Sequence, residues 1–217
     1  MSDPKVRHLS PLDMFLNQAD RALRTLSPDT QVHARPSPSQ GQADTQMSDE
    51  QRQHAAGLMR VNHTGEVMAQ ALYQGQALTA KLPKIRAEME HAANEEIDHL
   101  AWCEERLEQL GSRPSRLAPL WYAGSYSIGV LAGLAGDKWS LGFIEETEKQ
   151  VTAHLESHLT QLPEKDNRSR TIIEKMREDE IEHAESAHNA GAMDLPPPIK
   201  HAMTQVAKVM TKASFKI

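Results

Sequence analysis

Asp179-Glu180-Ile181-Glu182-His183 repeats, 84 residues later, the pattern of Glu95-Glu96-Ile97-Asp98-His99: an acidic residue followed by Glu-x-x-His. On an α-helix, residues i and i+3 share one face about a turn apart, so each copy offers one carboxylate and one imidazole to the same point. A helical segment bearing its own glutamate precedes each copy: Glu66 in Asn62-His63-Thr64-Gly65-Glu66, and Glu148 in Glu145-Glu146-Thr147-Glu148. Glu66 and Glu96 are 30 residues apart and Glu148 and Glu180 are 32 apart, which reads as a duplicated helical hairpin with both members at similar depth. Two such hairpins about a pseudo-twofold axis would converge four carboxylates and two histidines, the ligand set of di-iron and di-manganese four-helix bundles. Oxygen-rich ligands with two imidazoles suit iron or manganese better than a thiolate zinc site. A single Glu-x-x-His is commonplace on a solvated helix; two copies, each behind a glutamate-bearing helix, are not. Glu66 lies among Val61, Val67, Met68 and Leu72, where a carboxylate without a partner would be costly. The register selects Glu96 over Glu95. Among Glu145, Glu146 and Glu148 the residues alone leave the choice open, although the duplication spacing favours Glu148.

Working outward, helical periodicity predicts an all-α protein. Leu12, Phe15, Leu16, Ala19, Leu23 and Leu26 form an amphipathic stripe within a first helix, in a segment taken as 1–26. Residues 27–47 hold prolines 28, 36 and 38 and few apolar side chains, which reads as a flexible linker before the helical domain at 48–217. Ser48 with Gln51 forms a capping box opening a long helix towards Lys81. Further helices are expected over about 84–110, 138–162 and 164–190, punctuated by Pro83, Gly111, Pro163 and Gly191. Between them Leu117 to Gly136 is 20 residues without a charge, rich in Gly, Ser and Ala. It reads as a buried or in-plane helix rather than a membrane span. After Pro196-Pro197-Pro198 the tail is basic and amphipathic, with Lys200, Lys208, Lys212 and Lys216.

The 217 residues suit one domain plus an arm, and 24 Lys+Arg against 30 Asp+Glu leave a net charge of −6. Without a general basic field, nucleic acid is not an expected partner. Cys103 is the single cysteine, which excludes an internal disulfide and a Cys-cluster metal site. Aromatic residues make up only 4%, and β-branched runs are few, so a β-sandwich is a poor fit.

At the residues quoted above, the chain resembles the demethoxyubiquinone hydroxylase family of ubiquinone biosynthesis, in its bacterial form. The resemblance rests on Arg60-Val61-Asn62-His63-Thr64-Gly65-Glu66, Glu95-Glu96-Ile97-Asp98-His99, Glu148 followed by His154, and Asp179-Glu180-Ile181-Glu182-His183, and covers about residues 48–217. It implies a ferritin-like bundle holding two iron ions on Glu66, Glu96, His99, Glu148, Glu180 and His183. It also implies dioxygen as co-substrate and hydroxylation of 2-polyprenyl-3-methyl-6-methoxy-1,4-benzoquinone or its quinol. No Gly-x-Gly-x-x-Gly is present, so electrons are expected from an external donor. His154 corresponds to a family histidine near the site and is a candidate for proton or electron delivery. Asp179 is a candidate to orient a ligand histidine of the other half, most plausibly His99.

A polyprenyl substrate stays in the bilayer, so peripheral contact with the cytoplasmic face of the cell membrane is expected. Trp121, Tyr122 and Tyr126 are candidates to line a substrate channel or meet the membrane. Partner proteins of ubiquinone biosynthesis would meet the enzyme there. The competing readings are another ferritin-like di-iron protein, for iron storage or a different oxygenation, and a metal-free helical scaffold binding membranes or proteins.

Overall fold

A computed structural model describes residues 10–27 and 35–217. Residues 1–9 of the expected N-terminal segment, 28–34 of the expected linker, and the Phe15 side chain lie outside the described residues. Within them the chain forms seven helices and no strand: α1 (Pro11–Leu26), α2 (Asp49–Thr79), α3 (Pro83–Gln109), α4 (Ala118–Ala135), α5 (Asp137–Gln161), α6 (Asn167–Asn189) and α7 (Pro197–Ser214).

Local signals set the ends. Ser48 and Gln51 close the capping box that starts α2, with Gln51 N donating to Ser48 Oγ at 3.2 Å and Ser48 N to Gln51 Oε1 at 3.0 Å. Gly111 and Gly191, at φ 70° and 98°, take the left-handed conformation that stops α3 and α6. Asp166 caps α6 by accepting from Ser169 N at 3.0 Å.

Helices α2, α3, α5 and α6 form a ferritin-like four-helix bundle. Two apolar clusters fill it at different levels. One gathers Leu58, Met59, Trp102, Cys103, Leu107, Leu155, Ile172, Ile173 and Met176; the other gathers Ala69, Tyr73, Ala77, Met89, Ala93, Leu141, Ile144 and Ala187. On every helix the residues of the repeated motif fall between the two. Cys103 is a small buried hydrophobe, its Sγ 3.8 Å from Met176 Sδ.

The uncharged α4 carries the chain from α3 to α5 along the outside of α2. Its glycines serve that packing: a Cβ on Gly129 would strike the Leu72 carbonyl, one on Gly133 the Thr79 side chain, and one on Gly75 of α2 the Tyr126 carbonyl. No helix among the described residues is long and apolar enough to cross a membrane.

Residues 35–47 differ from the expected flexible linker. Ser37, Ser39 and Met47 are buried, Asp44 pairs with Arg106 at 3.4 Å, and Gln42 donates to Thr171 Oγ1 at 3.2 Å. Low apolar content signalled a free linker, but this arm is held by polar side-chain contacts that composition does not register.

Candidate metal centre

Glu66 on α2, Glu96 and His99 on α3, Glu148 on α5, and Glu180 and His183 on α6 meet between the two apolar clusters. Five of them are at most 2% exposed, and the His183 side chain is 11% exposed. One oxygen or nitrogen from each of Glu66, Glu96, His99 and Glu180 lies within 4.8 Å of the others.

The arrangement follows the duplication. His99 Nδ1 stands 3.2 Å from Glu96 Oε2, 3.2 Å from Glu180 Oε1 and 3.7 Å from Glu66 Oε2. His183 Nδ1 stands 3.3 Å from both Glu96 Oε1 and Glu180 Oε2. Each of these two central carboxylates therefore turns one oxygen to each imidazole. Glu66 closes the His99 side, while Glu148, whose carboxylate accepts from the Tyr73 hydroxyl, feels the charges of Glu180 and His183.

The outward nitrogens are matched crosswise. His99 Nε2 pairs with Asp179 Oδ2 at 2.9 Å, and His183 Nε2 with Glu95 Oε2 at 3.0 Å. Asp179 and Glu95 each directly precede a central glutamate, so each motif supplies the outer partner of the other motif's histidine. Glu95, set against Glu96 in the sequence, thus has its own place. Glu145 and Glu146 face away: Glu145 pairs with Lys149 and, at 3.1 Å, His188, and Glu146 with Lys200 at 3.2 Å.

Burial and crowding perturb these groups strongly. Burial, followed by the charges of Glu96 and Glu180, pushes the Glu66 carboxyl well up; burial and the same two charges, Glu180 first, do so for Glu148. Burial would also raise Glu96, but His183 and His99 hold it well below the usual carboxylate range. Burial disfavours charge on His99 and His183, yet the carboxylates around each raise both imidazoles well above their ordinary value.

The donor set fits metal ions. Glu148 Oε2 is buried without a hydrogen bond, a costly state for a carboxylate oxygen that coordination relieves, and Glu96 Oε1 and Glu180 Oε1 each meet only an imidazole Nδ1, at 3.3 and 3.2 Å. Each imidazole turns Nδ1 to the centre and Nε2 to a carboxylate, the usual orientation of a metal-bound histidine.

The other singled-out residues lie further off. His154 is six residues beyond Glu148, about two-thirds of the way round the helix, and makes no hydrogen bond or ion pair with the six. Its ring rests 4.0 Å from that of His158, whose Nδ1 meets Asn62 Oδ1 at 2.7 Å, one turn before Glu66. A cavity of about 280 Å³ lies between α1 and the α2–α3 pair, lined by Gln70 and Gln74 of α2, Ala93 and Ile97 of α3, and polar residues of α1 including Arg21 and Thr25, and by none of the six. Tyr122 reaches its wall indirectly, donating to Gln74 Oε1 at 2.6 Å; Tyr126 stacks on Tyr122, and Trp121 also lies outside the lining.

Sequence reasoning passed over three contributors. Glu95 was discoverable, since it holds the same place in its motif as Asp179. Tyr73 falls two turns after Glu66 on the same face, another available signal. Arg35, which bridges Asp98 and Asp179 at 2.6 and 2.8 Å, left none.

A family model described as ubiquinone biosynthesis protein COQ7 matches residues 53–214. The chain is 59% identical over 217 residues to a 3-demethoxyubiquinol 3-hydroxylase of Alcanivorax borkumensis, covering 97% of this chain and 99% of that one. It is 60% identical over 211 residues to the protein of the same name from Pseudomonas fluorescens strain SBW25, and 57% identical over 211 residues to that of Pseudomonas aeruginosa, with 97% of this chain and 98% of each relative covered. A helical bundle, a duplicated Glu, Glu-x-x-His set converging at its centre, and likeness across nearly the whole length agree: the chain belongs to the COQ7 family of ubiquinone biosynthesis proteins.

Proposed function

We propose that this protein is a di-iron monooxygenase that hydroxylates the ring of 2-polyprenyl-3-methyl-6-methoxy-1,4-benzoquinone, or its quinol, with dioxygen in ubiquinone biosynthesis. The names of the relatives support the reaction. The observation that carries the metal reading is the pair of central carboxylates, Glu96 and Glu180, each presenting one oxygen to each imidazole. Glu66, Glu96, His99, Glu148, Glu180 and His183 would hold two iron ions, which when bound supply the redox chemistry with dioxygen.

The protein's own contribution is placement. Asp179 and Glu95 keep the Nε2 protons of His99 and His183 on the outside, leaving Nδ1 as the inward donor. The apolar clusters above and below exclude water from the ligand layer. The cavity beside Gln70 and Ala93, each one turn from a ligand glutamate, gives a quinone ring an approach, with Tyr122 bracing its wall through Gln74. His154, through its contact with His158, is assigned to proton or electron delivery on the α5 side. A His154→Ala variant retaining both metals and full turnover would remove that role.

The substrate's polyprenyl tail requires a surface that meets lipid. Leu12, Leu16 and Leu23 of α1 and Leu120, Leu131 and Leu134 of α4 are exposed, which supports peripheral attachment, on this reading at the cytoplasmic face of the cell membrane with partner enzymes of the pathway nearby. The test of function is anaerobic iron loading, elemental analysis, and oxygen-dependent conversion of a short-chain demethoxyquinol to its hydroxylated product by mass spectrometry. About two irons per chain and product formation are expected; a wild type that takes up no iron refutes the reading.

A further inference from the structure

The duplicated hairpins give each imidazole the same two central carboxylates and one outer carboxylate, and the arm before the bundle adds a support on the His99 side. Arg35 Nε lies 2.6 Å from Asp98 Oδ2, and its Nη1 lies 2.8 Å from Asp179 Oδ2, the same oxygen that accepts from His99 Nε2. The rest of Arg35 is also fastened. Its backbone N donates to Asp98 Oδ1 at 3.3 Å, its carbonyl accepts from Trp102 Nε1 at 3.1 Å, and its guanidinium stacks 4.9 Å from the Trp102 ring. Trp102 in turn stands 5.3 Å from the His99 ring, and Lys175 takes the second Asp179 oxygen at 2.8 Å. On the other side, no guanidinium among the described residues forms a salt bridge with Glu95, which feels the charge of Arg35 without a direct ion pair; beyond His183, its ion-pair neighbour is the exposed His91 at 3.8 Å.

We propose that Arg35 is a positioning residue for the metal centre: by bridging Asp98 of α3 and Asp179 of α6 it fixes the carboxylate that orients His99. The proposal rests on the metal-centre reading above. A guanidinium is a rigid planar fork, so it holds two carboxylates at a set separation, which a flexible ammonium does not. Asp179 then cannot swing away from His99 Nε2, and the ring keeps Nδ1 on the centre. Arg35 lies outside the residues that the family model matches, so one half of a symmetric ligand set is completed by a segment that is not part of the duplication.

The experiment is a Co²⁺ titration of the metal-free full-length protein, followed by visible absorption, with Arg35→Met, Arg35→Lys and Asp44→Asn variants. Asp44→Asn removes a different arm contact, that to Arg106, and serves as the control for arm packing. Arg35→Met is expected to weaken Co²⁺ binding by about 10- to 100-fold and to alter the ligand-field bands, the usual effect of removing an outer support. Arg35→Lys should recover part of the affinity, and Asp44→Asn should match the wild type. An Arg35→Met protein with wild-type affinity and bands overturns the proposal while leaving the metal centre standing, as does equal weakening by Asp44→Asn. Should Arg35→Met fail to fold by far-UV circular dichroism, Arg35→Lys decides: intermediate affinity with altered bands supports the role, and wild-type behaviour overturns it. A wild type that binds no Co²⁺ removes the metal-centre reading and this proposal with it.

Discussion

Loading the centre with two divalent metals should release protons from its histidines and glutamates, and its affinity should therefore depend on pH. Without metal, the crowded carboxylates raise His99 and His183 well above the ordinary imidazole value, which favours their cationic forms, and burial with neighbouring charge raises Glu66 and Glu148, which favours their protonated forms. Ligation needs neutral imidazoles and ionised carboxylates, so protons leave both the histidines and these glutamates. Acid favours the protonated, metal-free form, so affinity falls as pH falls and rises as pH rises. Each proton released makes the product of the two binding constants change by about tenfold per pH unit around neutrality, about 1.36 kcal/mol. Calorimetric titration with Co²⁺ in buffers of different ionisation enthalpy, at pH 6.5 and 7.5, counts the protons directly. Glu148→Gln should lower the count by about one. Release of fewer than about one proton per metal would refute the electrostatic account of the site.

Other expectations concern different parts of the molecule. Burial, aided by His154 and His54, pushes the His158 imidazole down to about 3, below its unfolded value of about 6.5. Its contribution to stability is complete above the unfolded value and drains away as pH falls towards the folded one. Lowering pH from 7 to 5 should cost about 2 kcal/mol at this residue, so urea denaturation of metal-free His158→Gln should show a pH slope flatter by that amount; equal slopes would count against it. Gly129→Ala should lower stability by about 1–3 kcal/mol, because the added methyl meets the Leu72 carbonyl; a raised melting temperature, the usual result for glycine in an uncrowded helix, would contradict the close α2–α4 packing. Replacing Leu12, Leu16 and Leu23 by serine should abolish co-flotation with anionic lipid vesicles while leaving Co²⁺ uptake and melting unchanged, since these side chains are 54–65% exposed. Unchanged flotation would remove α1 from the membrane-facing surface.

The sequence by itself determined the helix order, most helix ends, and the shared faces of Glu96 with His99 and of Glu180 with His183, because each depends on neighbours within a few positions. Glu-x-x-His places its two side chains on one face by helical geometry alone, Ser48 and Gln51 cap within one turn, and Gly111 and Gly191 stop helices through their own φ. The hairpin spacing carried that local knowledge to equal depth on neighbouring helices. Tertiary structure decided what lies across gaps with no periodic signal. Glu95 and Asp179 reach histidines 88 and 80 residues away in the opposite motif, pairings that form only when the bundle closes. The uncharged stretch, read as a buried or in-plane helix, packs against α2 because its glycines allow two backbones to approach, an effect of shape rather than hydropathy. The arm reversed its expected character most fully. Scarce apolar residues announce a chain that cannot bury itself, yet Arg35 is held by Asp98, Asp179 and Trp102, charges and a ring supplied by helices folded elsewhere in the chain.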